Sequence, residues 1–149
     1  MTTVNAYLTV DGASDALDFY RRAFDAEELY RLAMPDGRLG HAEMRIGDTK
    51  LMISDEWPEG GILGPAARGG ATTSFAVTVD DVAALDATWA QALAAGATVE
   101  REREDQFYGH RTGTLVDPFG HRWSISAVVE DVSPEEMQRR IAGLDSTEA

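Results

Sequence analysis

The sequence predicts an α+β fold made of two βαβββ modules followed by a C-terminal helix, and three observations carry that prediction. The order strand, helix, strand, strand, strand can be read twice along the 149 residues. The segment Tyr108 to Trp123, YGHRTGTLVDPFGHRW, reads as two strands joined by an Asp-Pro-Phe-Gly turn, and a fainter copy of its pattern stands near the N-terminus. Between the copies, Glu56 to Ala71 holds five glycines and two prolines with little periodicity, as expected of an exposed connection or a lid over a site.

In the first copy, Asn5 to Val10 alternates and meets Asp11-Gly12, the pattern of a short strand ending in a turn. A helix follows over Ser14 to Phe24, with Ser14 as its cap and Ala16, Leu17, Tyr20, Ala23 and Phe24 on one face. Strands are expected at Glu27 to Met34, Leu39 to Ile46 and Lys50 to Ser54, separated by Pro35-Asp36-Gly37 and Gly47-Asp48. The second copy repeats the order. Thr72 to Val79 alternates, Asp80-Asp81 caps a helix carrying Val82, Leu85, Trp89, Ala92 and Leu93, and Gly96 stops it. Strands follow at Ala97 to Arg103, Arg111 to Val116 and Arg122 to Val128. At the end, Ser133-Pro134-Glu135-Glu136 starts a helix with a cap, a first-turn proline and a capping box; it is expected to stop near Leu144, with the last residues frayed. This divides the chain into residues 1–132, one domain of module 1 (4–55) and module 2 (72–129), and residues 133–149, helix and tail.

Each module covers only one side of its sheet, so the two should pack with helices outside and the sheets sharing an interior, where a cleft is the natural ligand site. With no cysteine, disulfides, thiolate zinc sites and a cysteine nucleophile are excluded. The absence of an apolar run of about 18 residues and of a basic leader pattern sets a cytoplasmic expectation with no membrane partner. Twenty-six acids against 13 bases, a net charge of -13, oppose nucleic acid and leave a neutral or cationic small molecule as the expected partner, although surplus acid also serves plain solubility.

Four blocks carry a resemblance: ALDFYRRAFDAE (16–27), GHAEMRIGDTKLMISDE (40–56), Tyr108 to Trp123, and EDVSPEEM (130–137). In that order they make the chain resemble the glyoxalase, bleomycin-resistance and dioxygenase, or vicinal oxygen chelate, superfamily, and within it the PhnB-like branch. The resemblance implies paired βαβββ modules, a homodimer, a U-shaped cavity on each sheet, and either metal-dependent chemistry or metal-free sequestration of antibiotics. It also implies where metal ligands would stand. Aligned by strand endings and turns, those positions hold Asn5, Ser74, Met52 and Ser124, none a good divalent-metal ligand, so no metal and no cofactor are expected.

Among the histidines, His121 belongs to its turn, and His110 is either a binding contact or a turn residue. His41 and Glu43 fall on the face opposite Ala42, Met44 and Ile46. They are either a base with its orienting carboxylate or part of a half-exposed polar sheet face. Tyr7, Trp57, Phe107, Tyr108 and Met52 suit stacking of a planar ligand, or anchor loops. The first functional reading is a metal-free binding protein of bleomycin-resistance type. It takes an aromatic or cationic ligand among Tyr7, Met52, Trp57, Ser74, Tyr108, Arg111 and Ser124, beside His41 and Glu43. The alternative is a glyoxalase-like lyase or isomerase in which His41 and Glu43 are catalytic, with a metal bound in an unusual way if one is used.

Overall fold

A computed structural model describes residues 1–147. The first module is β1 (Tyr7–Val10), α1 (Ala13–Phe24), β2 (Glu27–Ala33), β3 (Leu39–Ile46) and β4 (Thr49–Asp55). The second is β5 (Ser74–Thr78), α3 (Val82–Ala95), β6 (Thr98–Asp105), β7 (His110–Val116) and β8 (Arg122–Val128). The sheets have matching orders, β1-β4-β3-β2 and β5-β8-β7-β6. In each, the first strand lies parallel to the last and the other pairs are antiparallel. The fold is therefore the α+β pair of βαβββ modules that the repeat predicts, with a terminal helix α4 (Pro134–Thr147).

Periodicity explains the helices, and the caps explain where they begin. Ala13, Ala16, Leu17, Tyr20, Ala23 and Phe24 form the buried stripe of α1. Its expected cap does not act as one: Ser14 lies inside the helix and accepts from Arg31. The N-cap is Gly12, at a φ of 101° that favours glycine, and the acceptor comes from β4. Asp55 Oδ1 receives the Gly12 and Ala13 amides at 2.9 and 2.8 Å, and its Oδ2 receives Leu39 N at 2.7 Å. A distant carboxylate thus ties helix, β3 and β4 together. In α3 the local cap holds, with Ala84 N donating to Asp81 Oδ1 at 2.8 Å. In α4 half the capping box forms: Glu136 N donates to Ser133, while the Glu136 carboxylate pairs with Arg139 and Arg140. Helix α4 runs to Thr147, beyond the expected stop, and positions 148–149, where fraying was expected, lie outside the described residues.

The linker has more local order than its sequence suggests. It contains a 3-10 turn (Pro58–Gly60), a bridge between Trp57 and Ile62, and a one-turn helix α2 (Pro65–Arg68). Elements this short leave no detectable hydrophobic period.

One core spans both modules. Helices α1 and α3 pack on each other, and the Phe24 and Phe75 rings lie 4.6 and 4.7 Å from that of Trp123. The junction is organised by Asp117, buried in the turn between β7 and β8. Its Oδ1 accepts the amides of Phe119 and His121 at 2.9 and 3.0 Å, and its Oδ2 accepts Trp123 Nε1 at 2.9 Å and the Tyr20 hydroxyl from α1. Burial first, and the adjacent carboxylate second, push the Tyr20 phenol well above its ordinary range, so it acts here only as a donor. His121 Nε2 reaches the Thr9 carbonyl at 3.0 Å, so this turn residue also joins the modules. Among the described residues no helix is long and apolar enough to cross a membrane.

Candidate functional site

Strand alternation gives each sheet a helix-covered face and a helix-free one. In the first sheet Leu8, Val10, Ala42, Met44, Leu51 and Ile53 are buried on the helix side. The opposite face carries a row across four strands, because Tyr7 opposes Met52, Met52 opposes Glu43, and Glu43 opposes Tyr30. His41 stands two residues before Glu43 on the same face.

These side chains form a connected network. The Tyr7 hydroxyl lies 2.6 Å from His41 Nδ1, and His41 Nε2 lies 3.0 Å from Glu43 Oε2. Tyr30 donates to that same oxygen at 3.0 Å, and Lys50 Nζ lies 3.0 Å from Oε1. An ionised carboxylate only accepts, so His41 carries its proton on Nε2, and in the neutral ring Nδ1 accepts from Tyr7. The His41 bond first, then Lys50 and Tyr30, hold the Glu43 carboxyl at about 2, against the opposing effect of burial. Exposure is graded along the chain of bonds: Tyr7 is 50% exposed, the His41 side chain 23% and that of Glu43 12%. The His41 ring lies between two tyrosines, with centroids 5.4 Å from Tyr7 and 5.7 Å from Tyr30.

The second sheet holds the remaining positions differently. Ser74 opposes Arg122, while Ser124 opposes Ala76 and Thr114, with 3.2 Å between the Ser124 and Thr114 hydroxyls. The row Ala76, Ser124, Thr114 thus repeats the row Tyr7, Met52, Glu43 with no ionisable group. Arg111 opposes Ala127 on the helix-covered side and pairs with Asp105 through two bonds of 2.6 and 3.2 Å. Tyr108 lies in the turn between β6 and β7, edge-on to Phe107 and near His110. Trp57, 53% exposed, stands on the linker. Among the described residues no hydrogen bond, ion pair or ring contact joins the helix-free face of one sheet to that of the other. The structure therefore brings Tyr7, His41, Glu43 and Met52 together, and sets Ser74 and Ser124, Trp57, Tyr108 and Arg111 elsewhere.

Sequence reasoning missed Tyr30 and Lys50. Tyr30 meets Glu43 because an irregularity between Glu28 and Tyr30 shifts the β2 register, and no local signal marks it. Lys50 was legible in principle, since it shares the face of Met52 two residues away.

Residues 3–125 match the family described as the Glyoxalase/Bleomycin resistance protein/Dioxygenase superfamily. The chain belongs to that superfamily. A similar relative is an uncharacterized protein of Mycobacterium bovis, 44% identical over 138 residues, which cover 91% of this chain and 89% of that one. The Bacillus cereus PhnB protein, a putative 3-demethylubiquinone-9 3-methyltransferase, is structurally similar, with a TM-score of 0.68, 18% identity and coverage of 85% and 100%. The fosfomycin resistance protein FosX of Listeria monocytogenes is similar with a TM-score of 0.69, 17% identity and coverage of 91% and 97%. At such identities the likeness to the two structures is one of fold.

The metal that many members of the superfamily use does not fit the residues here. Of the positions aligned with ligands, Asn5 spends its amide on the Lys50 carbonyl at 3.1 Å, Met52 offers a thioether, and Ser74 and Ser124 offer neutral hydroxyls. Among the described residues no group of three or more His, Cys, Asp or Glu is gathered to hold an ion.

Proposed function

We propose that this superfamily member binds a small planar aromatic molecule without a metal, on the helix-free face of its first sheet, in the manner of a bleomycin-resistance protein. The observation that carries the reading is the file of rings Tyr7, His41 and Tyr30 beside Met52, with both tyrosines open to solvent. Flat rings and a thioether favour stacking on a π-face. A cationic ligand has less support, because Glu43 already accepts from His41, Tyr30 and Lys50. Antibiotic sequestration belongs to the same proposal, in a fold shared with the fosfomycin resistance protein FosX.

A homodimer is part of the proposal. Tyr7, Tyr30 and Leu32 leave apolar surface exposed on one sheet face, which a second copy would cover. A light-scattering mass of one chain at micromolar concentration would remove it. A cytoplasmic location suits a chain that needs no disulfide, and cell fractionation checks it.

The binding test is a thermal-shift screen of planar heteroaromatic compounds, bleomycin included. A ligand at one hundred times its Kd adds about 2.7 kcal/mol, a shift of several degrees. Tyr7→Ala and Tyr30→Ala should abolish the shift, and hits indifferent to both would refute the placement. A second reading, a glyoxalase-like lyase or isomerase using His41 and Glu43, is favoured by their 3.0 Å bond. It fails if His41→Ala and Glu43→Ala leave a detected turnover unchanged.

A further inference from the structure

The exposure gradient from Glu43 through His41 to Tyr7 has the form of an activated hydroxyl: a shielded carboxylate orients an imidazole, and the imidazole accepts from a hydroxyl that meets solvent. We propose that Tyr7 is the substrate-facing end of a metal-free proton relay, with His41 as its base and Glu43 as the positioning carboxylate. The substrate is a planar aromatic compound bearing an acidic O–H or an activated C–H. The proposal rests on the reading of this face as a ligand site and adds a chemical step to it.

The geometry assigns the roles. Tyr7 supplies a hydroxyl bonded to Nδ1, the ring nitrogen left free to accept once Nε2–H is directed at Glu43. Tyr30 cannot take the part of Tyr7, because its hydroxyl donates to the Glu43 carboxylate. In the step, the substrate X–H bond breaks and its proton goes to Tyr7 Oη, while the phenolic proton moves to His41 Nδ1. The imidazolium that forms lies against Glu43, and the electron pair of the broken bond remains on the substrate. The Lys50 ammonium, on the same face and 40% exposed, stands as the nearby countercharge. Returning the proton to a different atom of a conjugated substrate completes an isomerisation, with no oxidant, reductant or co-reactant.

The relay is testable without knowing the substrate, by the reaction of the full-length protein with N-acetylimidazole. In that probe reaction Tyr7 Oη attacks the acetyl carbon, its proton passes to His41, and the C–N bond to the imidazole leaving group breaks as that group takes up a proton. Peptide mass spectrometry should show Tyr7 acetylated at least about a hundredfold faster than free N-acetyltyrosinamide, the low end of general-base assistance. His41→Gln should return Tyr7 to the reference rate, and Glu43→Gln should lower it part-way, with circular dichroism confirming that each variant is folded. A Tyr7 rate equal to the reference, or one unmoved by His41→Gln, overturns the relay. Since no ligand is needed, that result leaves the binding proposal standing, whereas a barren thermal-shift screen with an activated Tyr7 would strike the binding reading and leave the relay intact.

Discussion

Asp117 gathers four donors from two modules on one buried carboxylate, and removing it should be among the costliest single changes in the chain. In Asp117→Ala the Trp123 indole, the Tyr20 phenol and the amides of Phe119 and His121 lose their acceptor together. A hydrogen bond to a charged group is worth ~1.5–3 kcal/mol when removed singly, and the buried Trp123 indole and Tyr20 phenol left without an acceptor cost ~1–3 kcal/mol each. We expect a loss of about 4 kcal/mol, a large share of the ~5–15 kcal/mol that holds a domain folded. At roughly 2–4 °C per kcal/mol for a chain of this size, Tm should fall by ~8–16 °C. Asp117→Asn should cost less, because its amide oxygen still serves the two turn amides, while its NH2 faces an indole that can only donate. Tyr20→Phe removes one donor and should cost about 1.5 kcal/mol. A double-mutant cycle between positions 20 and 117, read by urea unfolding, should return a coupling of at least about 1 kcal/mol. A loss under about 1 kcal/mol for Asp117→Ala would refute this account of the junction.

Three further outcomes follow from the same geometry. Gly109 sits at a φ of 91°, and an added Cβ would run into the Glu130 carbonyl oxygen, so Gly109→Ala should destabilise by about 3 kcal/mol in chemical denaturation. Asp55→Ala removes the acceptor of three amides in two elements and should cost about 2 kcal/mol, with slower amide exchange lost first at Gly12, Ala13 and Leu39. The Glu43 carboxyl is held at about 2, below its ordinary 4.5, so the stability it contributes is complete above pH 4.5 and is lost as pH falls toward 2. Melting curves of the wild type and Glu43→Gln should therefore converge across that window, and parallel curves would contradict the network.

The strands were legible because their periods and turns are local. Leu39–Ile46 ends where alternation and the following Gly47 say it should, and Arg122–Val128 begins just after the turn that Gly120 closes. What escaped was set by distance or by register. The α1 cap could not be read near Ser14 because its acceptor, Asp55, arrives from the end of β4. Tyr30 escaped because a bulge decides what it faces. Arg111 stands as a placement that parity alone would have corrected. Counting back from Thr114, which shares a face with Ser124, puts Arg111 on the other side of β7. His41 and Glu43 were readable as a pair because two residues of one strand share a face, whatever the rest of the molecule does.

The matched rows of the two sheets have a consequence for experiment. Where the first half presents Tyr7, Met52 and Glu43, the second presents Ala76, Ser124 and Thr114 in the same lattice of neighbours. One half gathers titrating groups into a bonded network along this row, while its twin holds neutral side chains at the three matching places and carries its charges beside them, at Arg122 and Glu100. The neutral row is a built-in blank, a matching lattice of neighbours onto which the reactive set can be transplanted to ask whether position alone makes it work.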